Sequence, residues 1–263
     1  MNEKKNGSSE CPNMRRRFRP LLFKVCIGVL LITSSLVTLT GMHSKSSMQS
    51  QNGVDQKKNE RFDNLVRADF FAGMDGDKAA FDRAMKLCAD TLAKNPKHAG
   101  AMVWQGAGLV HLASLAFEKG DNNKGGELWE RGLKEMDDAV NLEPKSLEVL
   151  IPRGATLLEA SRSLPFPSQA RALLEKGVND YEMVLELQQP YFDKLSVHAR
   201  AELLFGLGEG WYRLANKEKA HIYLSRVVKE CQGSGLEDQA KRMLNESKLP
   251  MMQKTQSCVG CHA

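Results

Sequence analysis

The chain has 263 residues, of which 42% are hydrophobic and 6% aromatic, and a formal charge of +5. That length and apolar content support a sizeable core in one elongated array or two small domains, and the low aromatic content argues against a β-sandwich. The positive charge is not a nucleic-acid footprint, because the excess of Lys and Arg lies within residues 1–41 and the rest of the chain is neutral.

Residues 1–20 form a basic segment carrying Lys4, Lys5, Arg15, Arg16, Arg17 and Arg19. An apolar run follows within residues 21–41, reading VCIGVLLITSSLVTL over residues 25–39. This order of basic and apolar segments predicts an export signal. The run is shorter than the roughly 20 residues a spanning helix needs, unless residues 21–23 extend it past Lys24, so a cleaved signal and a retained membrane anchor are both open. In either case the basic residues stay in the cytoplasm and the chain after Gly41 is placed outside it. The expected location is periplasmic, free after cleavage or held at the inner membrane by residues 21–41. Residues 42–60 are polar and without periodicity, the composition of a linker.

From residue 61 the pattern is one of helices separated by short turns rich in Gly, Asp, Asn and Pro, without the alternation of strands. Helical pairs are expected to end at Asn95-Pro96 and at Pro144. Ten residues beyond each proline stands a glycine in the same phase: Gly106 with Met102 and Leu109 around it, and Gly154 with Leu150 and Leu157. The clearest unit covers residues 202–230, where Gly208, Trp211, Ala220, Leu224 and Val227 fall at spacings of three, nine, four and three. That spacing resembles the tetratricopeptide repeat. The resemblance covers about residues 62–249 and implies an all-α array of antiparallel helix pairs, A then B, in which the small residue lets helix A pack closely on helix B. Working back from the prolines puts Met136 and Ala139, and Ala84 and Cys88, on B helices.

The family unit is about 34 residues, whereas Pro96 and Pro144 are 48 apart. Insertions are therefore expected at the breakers GDNNKGG (residues 120–126) and SLPFPSQ (residues 163–169), as lengthened helices around the A-to-B turn. A last helix over residues 236–248, with Ala240 and Leu244 on one side and Pro250 as its stop, reads as a cap. The repeat domain then spans residues 61–249. The resemblance also implies a concave surface that docks a protein partner.

The tail, residues 250–263, carries Cys258-Val259-Gly260-Cys261-His262. This is the C-x-x-C-H spacing of c-type haem attachment: two thiols two residues apart reach the two vinyl groups of one porphyrin, and the adjacent imidazole lies under the iron. Cys258 and Cys261 are expected to form thioethers to a single covalent haem c and His262 to be its proximal iron ligand. A Cys258–Cys261 disulfide is the competing chemistry in an oxidising compartment, and zinc is weaker because no second ligand pair appears. With Ala263 alone after the motif, cover for the haem has to come from upstream, an arrangement similar to the four-helix cytochromes of the c-prime type. For the sixth ligand, Met251 and Met252 have an awkward reach; His111, His198 and His221 are alternatives from the repeat body.

Other signals carry less. Gly206-x-Gly208-x-Gly210 has no strand before it and reads as helix packing, not a phosphate loop. Asp75-Gly76-Asp77 lacks the remaining ligands of a calcium loop and reads as a turn between helices. The Asn245 sequon carries no weight in a bacterial-type chain, and Cys88 and Cys231 are expected to be buried free thiols. No Ser/His/Asp set or carboxylate pair has a defensible geometry. The functional expectation is an exported haem-bearing repeat protein that exchanges electrons with a docked protein partner, read as an electron carrier or scaffold ahead of an enzyme, with the enzyme question left open. The alternative is a non-redox scaffold for protein assembly in the periplasm. A third reading, catalysis at a five-coordinate haem, requires an open iron position.

Overall fold

The computed structural model describes residues 61–245 except Pro165. The expectations for the basic segment, the signal or anchor, the linker, and the tail with Met251, Met252, Cys258, Cys261 and His262 lie outside the described residues.

The described residues are all-α, with no strand. Four antiparallel pairs follow one another: α1 (Phe62–Met74) with α2 (Lys78–Lys94), α3 (Ala99–Glu118) with α4 (Asn122–Leu142), α5 (Leu147–Ser163) with α6 (Pro167–Gln188), and α7 (Val197–Arg213) with α8 (Lys217–Glu230). A 3-10 turn, Gln189–Lys194, joins the third pair to the fourth, and α9 (Glu237–Asn245) packs on α8. The first helix of each pair also touches the first helix of the next, so α1, α3, α5 and α7 form a continuous row. This is the expected helix-pair repeat array, closed by the expected cap, in which Ala240 and Met243 are buried and Leu244 partly so.

Three of the four A-to-B turns are built alike. In Asp75-Gly76-Asp77, Lys119-Gly120-Asp121 and Leu214-Ala215-Asn216 the middle residue has a left-handed φ, of 115°, 82° and 64° respectively. The next residue donates its N–H back to the helix just ended, at Ala72, Ala116 and Trp211, over 2.9–3.0 Å. Its side chain then caps the following helix, accepting from Ala80, Lys124 and Lys219. The insertion predicted at residues 120–126 therefore leaves the turn unchanged and lengthens the helices: α3 has 20 residues and α4 has 21, against 17 and 14 in α7 and α8. The B-to-A connections Asn95-Pro96-Lys97-His98 and Glu143-Pro144-Lys145-Ser146 also match, as the two prolines predicted.

Glycine governs the pair interfaces. A Cβ on Gly106 would lie 2.7 Å from the Gly132 carbonyl oxygen and 2.7 Å from Met136 Cγ, so α3 and α4 touch backbone to backbone. Gly154 and Gly177 make the corresponding crossing of α5 and α6, and Gly208 receives Leu224 of α8. The Gly206-x-Gly208-x-Gly210 stretch is the packing feature it was expected to be: Gly206 admits the ring of Tyr181, and Gly210 admits Val178. Tyr181, from α6, is wedged between α5 and α7, with Gly154 on its other edge.

Core and polar contacts fix the stacking. Trp104 in the middle of α3 is fully buried and stacks on Phe70 of α1 at 5.1 Å. Helix α3 is apolar all round; by length and composition it would pass for a membrane span, yet its apolar stretch is 67% buried in this fold. Arg153 of α5 holds Asp180 of α6 in a two-pronged pair, 2.7 Å on each arm, and reaches Asp137 of α4 at 2.9 Å. Glu209 of α7, buried, accepts from Arg162 of α5 at 2.5 Å, while Arg213 donates to Ser161 and to the Leu158 carbonyl. At the start of the row, Glu148 of α5 accepts the backbone N–H of Asp63 at 3.1 Å, so it completes the first turn of α1 across Gly100 of α3.

Candidate functional site

A groove of about 490 Å³ opens where the lengthened second pair overhangs the short first pair. One wall is the α1-to-α2 turn and the start of α2: Gly73, Met74, Gly76, Lys78, Phe81 and Asp82. The opposite wall is the overhang, with His111, Leu112, Leu115 and Ala116 of α3 facing Leu128 of α4. Helix α1 ends at Met74, and α3 continues to Glu118; the extra turns of α3 and α4 have no helix of the first pair beside them. The groove is thus a direct product of the insertion that the repeat spacing required.

His111 sits at the inner edge of this groove, its ring tilted against Phe81 with centroids 5.2 Å apart. Burial pushes the imidazole below its ordinary range, opposed by the charge of Glu118. The rim is charged: Lys78 pairs with Asp82, and the Asp121 carboxylate is occupied as the cap of α4. Among the described residues, Lys119 and Lys124 make no ion pair.

The other predicted ligands have different surroundings. His198 is half-exposed on α7 and lies 3.3 Å from Glu202. His221 lines a smaller pocket of about 180 Å³ with Tyr212, Leu224 and Met243, where it faces Ser225 at 3.4 Å. His98 is a capping residue, accepting from the Ala101 N–H at 3.2 Å. Sequence reasoning grouped His111, His198 and His221 as equals; the structure separates them, since His111 lines the groove of about 490 Å³, His221 lines the pocket of about 180 Å³ and His198 is exposed beside Glu202.

Cys88 and Cys231 are buried and free, as expected, although Cys231 is the residue that closes α8 and not a member of it. Burial pushes the Cys88 thiol up to about 12, so it is an inert packing residue and not a nucleophile. Alkylation of the native protein at pH 8 is expected to spare Cys88 and to label it after denaturation, as peptide mapping would read. Among the described residues no three His, Cys, Asp or Glu side chains come together as a metal site.

For the haem expected on Cys258, Cys261 and His262, the fit rests on donor chemistry: two thiols and an imidazole at this spacing form the donor set that a c-type haem requires.

No protein-family model matches this chain, and no curated protein matches it. Among solved structures, the crystal structure of a thermophilic TPR protein from Thermus thermophilus is similar at 16% identity, over 74% of this chain and 86% of that one, with a TM-score of 0.47. The helix-pair architecture of the present chain stands on its own turns, pair order and glycine crossings.

Proposed function

We propose that this protein is an exported helical-repeat carrier of one covalent haem c, held by Cys258, Cys261 and His262, and that it exchanges electrons with a protein docked on its repeat surface. The observation that carries this reading is the pentapeptide Cys258-Val259-Gly260-Cys261-His262, read with the basic and apolar export pattern of residues 1–41. Covalent attachment of this type takes place outside the cytoplasm, so the two features support each other. Bound there, the haem would supply one-electron chemistry at its iron.

The residues of this chain have separate tasks. Cys258 and Cys261 would fix the porphyrin edge, and His262 would hold the iron from one side. The helix pairs supply a rigid body: the Arg153 and Glu209 networks and the glycine crossings hold successive pairs at fixed angles, a suitable base for a partner to dock on. Arrays of stacked helix pairs expose an extended surface, and such surfaces bind proteins.

The helix-pair array favours a second reading, an assembly scaffold in the periplasm without redox chemistry. A haem stain on a denaturing gel separates the two. The chain, expressed in a host with the c-type maturation machinery, is expected to carry haem through denaturation and to lose it in Cys258→Ala and Cys261→Ala. Colourless protein from a host that matures a control cytochrome sinks the haem reading and leaves the scaffold.

A further inference from the structure

The groove between the first and second pairs is apolar along its length and carries unmatched charge at one end. On its α3 wall His111, Leu112, Leu115 and Ala116 follow one another toward the tip of the overhang, and from His111 to Glu118 the helix rises about 10 Å at roughly 1.5 Å per residue. Met74 and Phe81 belong to the opposite wall. Leu115 is exposed in the middle of this trough, whereas Phe117, the next large apolar side chain, packs over Gly125 of α4.

The charges of the lining are unevenly matched. Both carboxylates are engaged: Asp82 pairs with Lys78, and Asp121 accepts the N–H of Lys124 as the cap of α4. The ammonium groups of Lys119 and Lys124 have no carboxylate partner among the described residues. They stand on either side of the α3-to-α4 turn, at the tip of the overhang. The volume of about 490 Å³ falls in the range of small-molecule sites, roughly 300–1,000 Å³. Leu115 and Phe117 are the only large apolar side chains exposed on the overhang among the described residues, so the trough does not widen into the extended face that a stable protein interface buries.

We propose that this groove binds a small amphipathic carboxylate, its apolar chain laid along Leu112 and Leu115 and its anionic end received by Lys119 and Lys124. Such a ligand covers the exposed leucine and supplies the negative charge that the two lysines lack. The site consists wholly of described residues and does not depend on the haem reading, so a colourless chain leaves it standing.

The test is a titration of the full chain with decanoate, followed by NMR of methionines labelled with carbon-13 in the methyl group. Met74 lines the groove and Met136 is buried at the crossing of α3 and α4. Decanoate is expected to shift the Met74 signal, assigned by its loss in Met74→Leu, and to leave Met136 in place. Decylammonium, with the same chain and the opposite charge, should bind about tenfold more weakly. Lys119→Glu combined with Lys124→Glu should reverse that order. Leu115→Trp fills the trough and keeps both lysines; it should abolish the Met74 shift, and because Leu115 is exposed the core is left intact. Equal affinity for decanoate and decylammonium, or decanoate binding unchanged in the double lysine variant, overturns the assignment. So does a Met74 signal that stays fixed at millimolar decanoate. A Met74 signal that moves with an acidic, leucine-rich peptide and not with decanoate gives the groove to a protein partner and overturns the small-ligand site.

Discussion

The α3–α4 pair and the α7–α8 pair follow the same local plan and differ in length. Each has a glycine on its first helix, a left-handed residue in its turn and an Asp or Asn cap on its second helix. In the α7–α8 pair the turn residue Ala215 follows soon after Gly208; in the α3–α4 pair Gly120 comes more than three helical turns after Gly106. The second helices nevertheless keep one register: Gly132, Met136 and Ala139 occupy on α4 the positions of Ala220, Leu224 and Val227 on α8. Length was added between crossing and turn, symmetrically on both helices, so the crossing survived and the extra turns projected beyond the neighbouring pair. The shorter pair packs a side chain into its glycine, whereas the longer one packs backbone against backbone. A repeat array therefore gains a groove by lengthening a pair without disturbing its contact point.

The largest expected effect tests that difference in crossings. Gly106→Ala puts a methyl 2.7 Å from the Gly132 carbonyl, where backbone has to move, and is expected to cost about 2 kcal/mol by thermal unfolding. Gly208→Ala meets the Leu224 side chain at the same 2.7 Å. Leu224 is buried and has to shift, but the nearest backbone atom, its own N, stays 3.2 Å away, and alanine recovers up to about 1 kcal/mol of helix preference, so the net loss should be smaller than at Gly106. Equal losses at the two sites would erase the distinction between backbone and side-chain crossings.

The turns give the next comparison. Gly120 and Ala215 share a left-handed φ, of 82° and 64°, so Gly120→Ala should cost about 1 kcal/mol and Ala215→Gly should gain somewhat less than that. Melting temperatures of the two single variants moving in the same direction would show that the turns are not equivalent. The smallest effect is expected on the overhang. A Cβ on Gly126 has no atom within 4 Å, and alanine there should stabilise α4 by about 0.5–1 kcal/mol. A loss instead would mean that the overhang has a neighbour not among the residues described.

Much of this organisation was legible in the sequence. Pro96 and Pro144, the phase of Gly106, Gly154 and Gly208, and the 48-residue spacing are local or periodic signals, and each led to the element the structure contains. Gly132, Gly177 and Tyr181 went unread because the family pattern puts alanine where the two glycines stand. The repeated spacing of four and three, in Gly177, Tyr181 and Val184 as in Ala220, Leu224 and Val227, was the signal that could have found them. The groove was not legible, since its two walls are far apart in sequence and it exists only because α1 is short where α3 is long.

The sequence by itself determined the helical class, the pair boundaries, and the turns and caps, because these depend on backbone preference and on spacing between near neighbours. Tertiary structure alone decided which cavities His111 and His221 line, which carboxylates are spent on Arg153, Arg162 and Arg213, and which glycines bring two backbones together. Those outcomes depend on the angle and overhang with which one helix pair lies on the next, and that geometry is set by contacts between residues distant along the chain.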